Sequence, residues 1–377
     1  MSELCKIMCV VGTRPEVIKM APLVHKISQS NQFELCLVTT GQHKEMVGQA
    51  MELFQLKADV DLEVMKAGQT LTSITSRVLD RLEPVMQAEQ PSVVLVHGDT
   101  TTTLAASLAA FYQKVDIGHV EAGLRTYDKY APYPEEMNRQ LVSRLADWHF
   151  APTELARENL LAENIDAKSI QVTGNTAIDC LNLTLKQHYS HELLERMNGH
   201  EFILVTVHRR ENLGVNMEHI FSALLDILDY FPNIHILFPV HKNPVVRELA
   251  EQMLQNHPRI HLSEPLNTVD FHNIAYRSLL ILTDSGGVQE EAPSLHKPVL
   301  VLRNQTERPE GVDAGVLKLV GTDRETIAQS VTALLTDERS YQQMACGINP
   351  YGDGQAAERI IRVLEQHYAS AQAAGRE

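Results

Sequence analysis

Short apolar runs rich in Val, Ile and Leu alternate with longer amphipathic segments along nearly all of the 377 residues. Such runs are typical of strands buried on both faces, because helices cover both sides of a parallel sheet. Residues 71–90 illustrate the amphipathic partner, with apolar side chains at helical spacing that end just before Pro91. The alternation therefore predicts βα units and an α/β fold with parallel sheets.

The alternation restarts near the middle of the chain, and 42.2 kDa is too much for one ordinary core. We predict strands at 6–11, 34–39, 92–97, 115–119, 148–151 and 169–173, then at 202–207, 234–240, 260–262, 279–283, 299–302 and 317–320. The expected fold has two Rossmann-like domains, residues 1–174 and 175–357, that face a central cleft. A C-terminal helix at about 358–377 is expected to cross back to the first domain.

Charge and hydropathy exclude several classes of partner. The formal charge of -15 and the absence of a Lys/Arg run argue against nucleic acid, because a phosphate backbone would be repelled. The N-terminus lacks the pattern of a secretion signal, and the apolar runs are far shorter than the ~20 residues that cross a bilayer. We therefore expect a cytoplasmic protein without a membrane partner.

Polar residues that follow the strands of the first half are the first candidates for a site, since doubly wound sheets bind ligands at the carboxyl ends of their strands. Arg14 and Lys19 lie at the start of a helix, where free amides and cations could meet an anion, although a plain turn explains them equally well. Asp99 and Glu121 follow two consecutive predicted strands, and Glu135 lies at the start of the helix predicted after the next loop. A helix cap or dipole compensation explains each one alone, but their convergence at one sheet edge favours acid/base chemistry.

The second half carries signals typical of phosphate binding. His208 ends a strand and precedes two arginines, and His241 again follows a strand, so both could contact a diphosphate or serve only local structure. The sequence Ser285-Gly286-Gly287 opens a helix after a buried strand, which exposes free amides, or else forms an ordinary flexible turn. An acidic residue one turn later, Glu291, could hold a ribose diol. Arg308 follows the next strand and could reach the same diphosphate.

Cofactor motifs are absent from the sequence. No G-x-G-x-x-G follows a strand, no Walker loop occurs, and the His and Cys residues lack HExxH or paired CxxC spacing. We expect no NAD, no metal and no other cofactor.

Six segments in fixed order, GTRPE, HGDTTTT, EAGLR, PEEMNR, HRREN and DSGGVQEE, resemble the non-hydrolysing UDP-N-acetylglucosamine 2-epimerases of bacteria over nearly the whole chain. That family is similar to glycosyltransferases with two facing Rossmann-like domains. The resemblance implies a UDP site on the second domain, with phosphate at Ser285, Gly286 and Gly287, ribose at Glu291, uracil near Phe271, and Arg14, Lys19 and His208 around the diphosphate. It assigns catalysis to Asp99, Glu121 and Glu135, with His208 added as a further catalytic candidate.

The implied reaction interconverts UDP-N-acetylglucosamine and UDP-N-acetylmannosamine through elimination of UDP to a 2-acetamidoglucal and re-addition. By the same resemblance, a second UDP-N-acetylglucosamine would activate the enzyme at a site near Gln42, Gln69 and Arg209, and the enzyme would be a homodimer.

Three alternatives stay open on the sequence. A hydrolysing epimerase would release UDP and N-acetylmannosamine, although the activator-region motifs favour the non-hydrolysing type. A glycosyltransferase of the same architecture has no evident need for three carboxylates at one edge. A silent UDP-sugar sensor would not need every acid/base position.

Overall fold

The computed structural model describes residues 4–41, 44–66 and 68–374. The chain divides into two compact units: unit 1 runs to Leu183 and resumes at Gly352, and unit 2 spans Thr184 to Tyr351. Each unit contains its own parallel sheet with helices between successive strands. The predicted pair of Rossmann-like domains is confirmed.

Unit 1 is built on a parallel sheet to which the described residues contribute seven strands. The strands are β1 (Cys5–Val11), β2 (Phe33–Thr39), β3 (Val60–Asp61), β4 (Val93–His97), β5 (Asp116–Val120), β6 (Trp148–Ala151) and β7 (Ile170–Val172). The helices are α1 (Arg14–Ser28), α2 (Lys44–Leu53), α3 (Leu71–Glu89), α4 (Thr101–Gln113), α5 (Glu135–Leu145), α6 (Glu154–Ala162) and α7 (Thr176–Thr184).

The strand order in unit 1 is β3-β2-β1-β4-β5-β6-β7. Because β1 pairs with both β2 and β4, the order reverses at β1. Apolar side chains fill both faces of the sheet, with Ile7 and Leu95 in one cluster and Met8 and Val94 in the other. Ligands of doubly wound sheets bind at such a switch point, outside the carboxyl ends of the strands.

The last helix, α16 (Ala356–Ala374), belongs to unit 1. It buries Ile360 and Leu364 in the same core cluster as β1. The Asp179 carboxylate on α7 accepts hydrogen bonds from the backbone N–H groups of Ala356 and Ala357, at 3.0 and 2.8 Å, which satisfies free donors at the start of the helix. The predicted return of the C-terminal helix to the first domain is confirmed. Since α7 is tied to α16, unit 1 extends through α7 rather than ending at residue 174.

Unit 2 repeats the architecture with six strands among the described residues, in the order β10-β9-β8-β11-β12-β13. The strands are β8 (Phe202–Thr206), β9 (His235–Pro239), β10 (Ile260–Ser263), β11 (Ile281–Thr283), β12 (Val299–Val301) and β13 (Leu317–Leu319). The helices are α8 (Glu192–Arg196), α9 (Val215–Tyr230), α10 (Pro244–Leu254), α11 (Thr268–Arg277), α12 (Gly286–Glu291), α13 (Pro309–Asp313), α14 (Arg324–Thr336) and α15 (Glu338–Ala345). Strand β8 pairs with β9 and β11, so its carboxyl end is the switch point.

The observed elements differ little from those predicted. The two-residue strand β3 was not predicted, because Val60 and Asp61 are too few to produce an apolar run. The polar segment 187–200 contains the short helix α8. Among the described residues, no helix combines the length and apolar character needed to span a membrane.

Candidate active site

Two neighbouring strands of unit 1, β4 and β5, end in turns that carry acidic residues. Gly98 follows β4 with a φ of 68°, and Glu121 follows β5 with a φ of 63°. The left-handed region is ordinary for glycine, but it costs of order 1 kcal/mol or more for a residue with a Cβ. Asp99 and Glu121 thus follow the ends of two adjacent strands. The backbone strain at Glu121 lies at the sheet edge where a functional site is expected.

The Glu121 carboxylate is held by hydrogen bonds from Lys19 and Asn175. Its Oε2 accepts a hydrogen bond from Lys19 Nζ at 2.5 Å and from Asn175 Nδ2 at 2.8 Å, and the side chain is 10% exposed. The His97 ring lies behind it, with Nε2 at 3.8 Å from the same oxygen. Burial lowers the pKa of His97 to about 4, against the opposing effect of Glu121. His97 is therefore neutral at physiological pH, while Lys19 supplies the positive charge.

Asp99 has an environment that favours its protonated form. Burial raises the pKa of Asp99 to about 6, Glu121 and Glu135 add to the rise, and Arg139 and Lys19 oppose it. Arg139 Nη1 is 3.4 Å from Asp99 Oδ2, at the limit of a hydrogen bond. A carboxyl group with such a pKa can both hold and release a proton near neutral pH.

Helix α5 begins with two glutamates that occupy different environments. Glu135 is half-buried and close enough to Asp99 to raise its pKa. Glu136 is 0% exposed and accepts hydrogen bonds from the backbone N–H of Thr126 and Tyr127, both at 3.0 Å. Burial would raise the pKa of Glu136, but hydrogen bonds from Gln140, Thr126 and Arg139 outweigh burial and lower it to about 2. Glu136 is thus a structural anion, whereas Glu135 faces the acidic cluster.

The start of α1 brings Arg14 and Lys19 to the same sheet edge. Glu16 is buried and accepts hydrogen bonds from the backbone N–H of Gly12 and Thr13, at 2.9 and 2.7 Å, and from the Thr100 hydroxyl. These bonds join the turn after β1 to the turn after β4. Arg14 is half-buried and makes no hydrogen bond or ion pair with the residues that the structure describes.

In unit 2, a buried carboxylate organises the switch point. Asp284 follows β11, is 0% exposed, and accepts hydrogen bonds from the backbone N–H of His208 at 2.9 Å and of Arg209 at 2.8 Å. Asn212 Nδ2 donates to the same carboxylate at 2.9 Å. The turn after β8 is thereby fastened to the turn after β11.

The His208 ring stacks on the ring of His241, with centroids 5.2 Å apart and planes inclined by 17°. Burial lowers the pKa of His208, and His241 and Arg209 act in the same direction against Asp284. Both predicted histidines therefore lie together at the carboxyl edge of the unit 2 sheet.

Two guanidinium groups converge on the turn at residues 285–287. A Cβ built on Gly286 would lie 3.6 Å from Arg209 Nη2 and 3.7 Å from Arg308 Nη2. Arg308 Nε donates to the buried Glu290 carboxylate, which fixes its orientation. Backbone amides at a helix start, together with two arginines, form an arrangement suited to bind a phosphate group.

Glu291 contacts the buried residue His272 on α11. His272 Nε2 lies 3.2 Å from Glu291 Oε2, and His272 Nδ1 lies 2.7 Å from the Thr184 hydroxyl. Phe271 precedes His272 and is half-buried. The carboxylate and the aromatic ring assigned to nucleoside recognition thus belong to elements that contact each other.

The structure thus groups the candidates within each unit. Unit 1 brings together Asp99, Glu121, Glu135 and Lys19, and unit 2 brings together His208, Arg209, His241, Gly286 and Arg308. Of the predicted activator residues, Gln42 lies outside the described residues, and Gln69 Oε1 accepts a hydrogen bond from the Lys66 N–H at 3.1 Å. Arg209, predicted at the activator site, lies beside the 285–287 turn.

Sequence reasoning did not assign roles to His97, Glu136 or Asp284, although each lies inside one of the six segments. An Asp directly after a buried strand was the available signal for Asp284. Nothing in the sequence distinguishes buried Glu136 from half-buried Glu135. No cluster of three or more His, Cys, Asp or Glu side chains within 4–41, 44–66 and 68–374 could hold a metal ion.

The fold and these clusters define a class, that of α/β proteins built from two doubly wound units with charged groups at the strand ends. A family model for UDP-N-acetylglucosamine 2-epimerase matches residues 25–365. A UDP-N-acetylglucosamine 2-epimerase of Bacillus subtilis is 55% identical over 363 residues, which cover 96% of each chain. The chain belongs to the UDP-N-acetylglucosamine 2-epimerase family.

Solved structures agree with this assignment. The UDP-bound MnaA protein of S. aureus is 51% identical with a TM-score of 0.87, and 97% of each chain is covered. The epimerase of Neisseria meningitidis, bound to UDP-GlcNAc, is 46% identical with a TM-score of 0.84, and the match covers 96% of this chain and 100% of that one.

Proposed function

We propose that the protein interconverts UDP-N-acetylglucosamine and UDP-N-acetylmannosamine by elimination and re-addition of UDP, without hydrolysis. The observation that carries the proposal is the placement of Asp99 and Glu121 on adjacent strand ends, with a carboxyl pKa of about 6 at Asp99. The similarity to family members bound to UDP and to UDP-GlcNAc supports the choice of substrate.

The first step breaks the bond between carbon 1 and the diphosphate oxygen, and the electron pair leaves with UDP. The resulting oxocarbenium-like centre makes the proton on carbon 2 acidic. A carboxylate then takes that proton, and the electron pair of the C–H bond forms the double bond of 2-acetamidoglucal. The Glu121 carboxylate, oriented by Lys19 and Asn175, is suited to stabilise the cation or to accept the proton.

The second step returns a proton to the opposite face of carbon 2, and the diphosphate oxygen adds back to carbon 1. One group cannot easily reach both faces, so two groups are needed. In a reversible reaction, the base of one direction is the acid of the other, and each must hold a proton transiently. Asp99 meets this requirement through its pKa, and Glu121 or Glu135 would serve the other face.

The leaving group is assigned to unit 2. Arg209, Arg308 and the amides of the 285–287 turn would bind the diphosphate, with His208 and His241 beside it. Positive groups that stabilise the departing UDP lower the barrier by several kcal/mol. In this proposal Glu291 and Phe271 bind the nucleoside, and Arg14 and Lys19 supply further positive charge.

Product analysis tests the proposal against its alternatives. We would incubate the pure protein with UDP-N-acetylglucosamine, without NAD or metal, and follow the sugars by proton NMR. A stable mixture of two UDP-sugars supports the proposed reaction. Free UDP with N-acetylmannosamine would identify a hydrolysing enzyme, and an unchanged substrate that still binds would indicate a sensor or a glycosyltransferase without its acceptor.

We further propose that the enzyme acts in the cytoplasm as a homodimer. A second UDP-N-acetylglucosamine would activate it near Gln42, Gln69 and Arg209. Because Arg209 lies close to the 285–287 turn, its side chain could contact both the substrate diphosphate and the activator.

A further inference from the structure

Arg139 of unit 1 lies between two carboxylates that differ in their environment. Its Nε and Nη2 donate to Glu136 Oε2 at 2.8 and 2.5 Å, whereas its Nη1 lies 3.4 Å from Asp99 Oδ2. The Arg139 side chain is 9% exposed and that of Glu136 is 0% exposed. Arg139 is thus bound firmly to Glu136 and contacts Asp99 only weakly.

An arginine this close to a carboxylate normally stabilises its ionised form strongly, because opposite charges attract in a poorly hydrated site. Here the negative charge of Glu136 cancels much of the charge of Arg139. Glu136 also orients the guanidinium, since two N–H groups of Arg139 are committed to it. Asp99 therefore contacts a guanidinium whose positive charge Glu136 already partly neutralises.

The same Glu136 carboxylate anchors the loop that follows Glu121. It accepts from the backbone N–H of Thr126 and Tyr127 and from the Thr126 hydroxyl, each at 3.0 Å. Asn138, one turn along α5, donates to the backbone oxygen of Asp99 at 2.8 Å. Helix α5 is thereby tied to the turns that carry both acidic candidates.

We propose that Glu136 is a positioning residue that neutralises and orients Arg139, and thereby leaves Asp99 free to exchange a proton during the reaction. The role in proton exchange rests on the proposed function. The electrostatic coupling of Glu136, Arg139 and Asp99 does not depend on it. The neighbouring charges are also accounted for: Glu121 and Glu135 oppose ionisation of Asp99, and Lys19 favours it. His97 is neutral and buried.

The test measures the titration of Asp99 directly in the full-length protein without substrate. We would label aspartate carboxyl carbons with ¹³C, assign the Asp99 signal by its loss in Asp99→Asn, and titrate by NMR. Glu136→Gln keeps the shape of the side chain but removes its charge, so Arg139 becomes a full cation beside Asp99. The pKa of Asp99 should fall by about one unit or more.

Arg139→Gln should shift the pKa of Asp99 in the opposite direction. It removes the cation beside Asp99, so the pKa should rise. A merely structural role for Glu136 would not shift the pKa in opposite directions in the two variants. If Glu136→Gln does not fold, the size of the rise in Arg139→Gln carries the test, because loss of a cation already neutralised by Glu136 should raise the pKa of Asp99 by less than about one unit, whereas loss of a full cation should raise it further. An unchanged Asp99 pKa in the folded variants would overturn the inference.

Enzyme kinetics provide a second readout that separates the two proposals. If the wild type interconverts the two UDP-sugars, the acidic limb of its pH–rate profile should move in each variant by the same shift as the NMR titration. An active wild type with an unmoved limb in both variants would overturn the positioning role and leave the proposed function standing. An inactive wild type with opposite NMR shifts would sink the function but not the charge coupling.

Discussion

Lys19 Nζ donates a hydrogen bond to Glu121 Oε2 at 2.5 Å, and the two side chains are only 20% and 10% exposed. A buried ion pair of this kind fixes the direction of the carboxylate. It also means that Lys19, which the sequence assigns to the diphosphate, already supports an acid/base candidate. Charge in unit 1 is therefore arranged around the carboxylates.

Glu121→Gln should abolish most activity while UDP still binds. The amide cannot accept a proton from carbon 2, and loss of a positioned acid/base group costs roughly a hundredfold or more in turnover. Initial rates and calorimetric UDP binding would be compared with Glu154→Gln, a control on exposed helix α6 whose side chain is 70% exposed. Turnover close to that of the control would remove Glu121 from the mechanism.

Asp99→Asn should stabilise the folded protein at alkaline pH. The pKa of Asp99 is raised from 3.8 to about 6 in the folded state, so the folded state binds more protons than the unfolded state between these values. Stability is therefore lost as pH rises through this window, and the loss is complete above pH 6. A difference of roughly 2 units corresponds to about 1–3 kcal/mol once solvent screening is included.

Calorimetric unfolding of Asp99→Asn and of the wild type tests whether the substitution stabilises the folded protein at alkaline pH. The asparagine variant should unfold at a higher temperature at about pH 8, and the difference should shrink toward pH 4, where aspartic acid is protonated in the folded state. A variant that is less stable at pH 8 would contradict a raised pKa.

Gly286→Ala should weaken UDP binding without unfolding the protein. The added Cβ would make only ordinary contacts with Arg209 and Arg308, at 3.6 and 3.7 Å, so the fold should tolerate it. It would nevertheless occupy space between the arginines and the turn that the proposal assigns to phosphate. We expect the dissociation constant for UDP to rise about tenfold or more, equivalent to about 1.4 kcal/mol.

Gly48→Ala is the matched control, because a Cβ at Gly48 in α2 meets nothing within 4 Å. Both variants would be compared by UDP titration and by melting temperature. Equal UDP affinity in the two variants would place the diphosphate elsewhere.

Gln69→Glu tests the proposed activator site. The carboxylate can still accept the Lys66 N–H, so the local turn is retained, while its negative charge should repel a second diphosphate. The dependence of rate on UDP-N-acetylglucosamine concentration should lose its sigmoidal shape in initial-rate measurements. A sigmoidal curve identical to that of the wild type would exclude Gln69 from activation.

The order of elements followed from the sequence because buried parallel strands and amphipathic helices leave distinct periodicities. The predicted strand ends placed Asp99, Glu121 and Ser285 at sheet edges. The two-residue strand β3 gave no such signal, and its pairing with Val38 and Thr39 depends on β2 being present. Local periodicity therefore predicts the sheets but not the shortest edge strand.

The chemistry within the site was less predictable. Glu135 and Glu136 are adjacent acids at the start of one helix, and only the packing of α5 makes Glu136 a buried partner of Arg139. In the same way, the left-handed backbone of Glu121 and the hydrogen bonds that Asp284 accepts from the N–H groups of residues 208–209 depend on tertiary structure. The hydrogen bonds of Glu136 with residues 126–127 and of Asp284 with residues 208–209 join separate elements of the chain, and a single sequence contains no record of them.

The central claim is that carboxylates exchange the proton on carbon 2 while UDP is detached. It is tested most directly by running the reaction in deuterated water and examining carbon 2 of both UDP-sugars by proton NMR and mass spectrometry. The account predicts that the UDP-N-acetylmannosamine formed carries deuterium at carbon 2, and that the substrate pool gains it as the reaction approaches equilibrium. Epimerised product that retains the original hydrogen at carbon 2 would contradict the account.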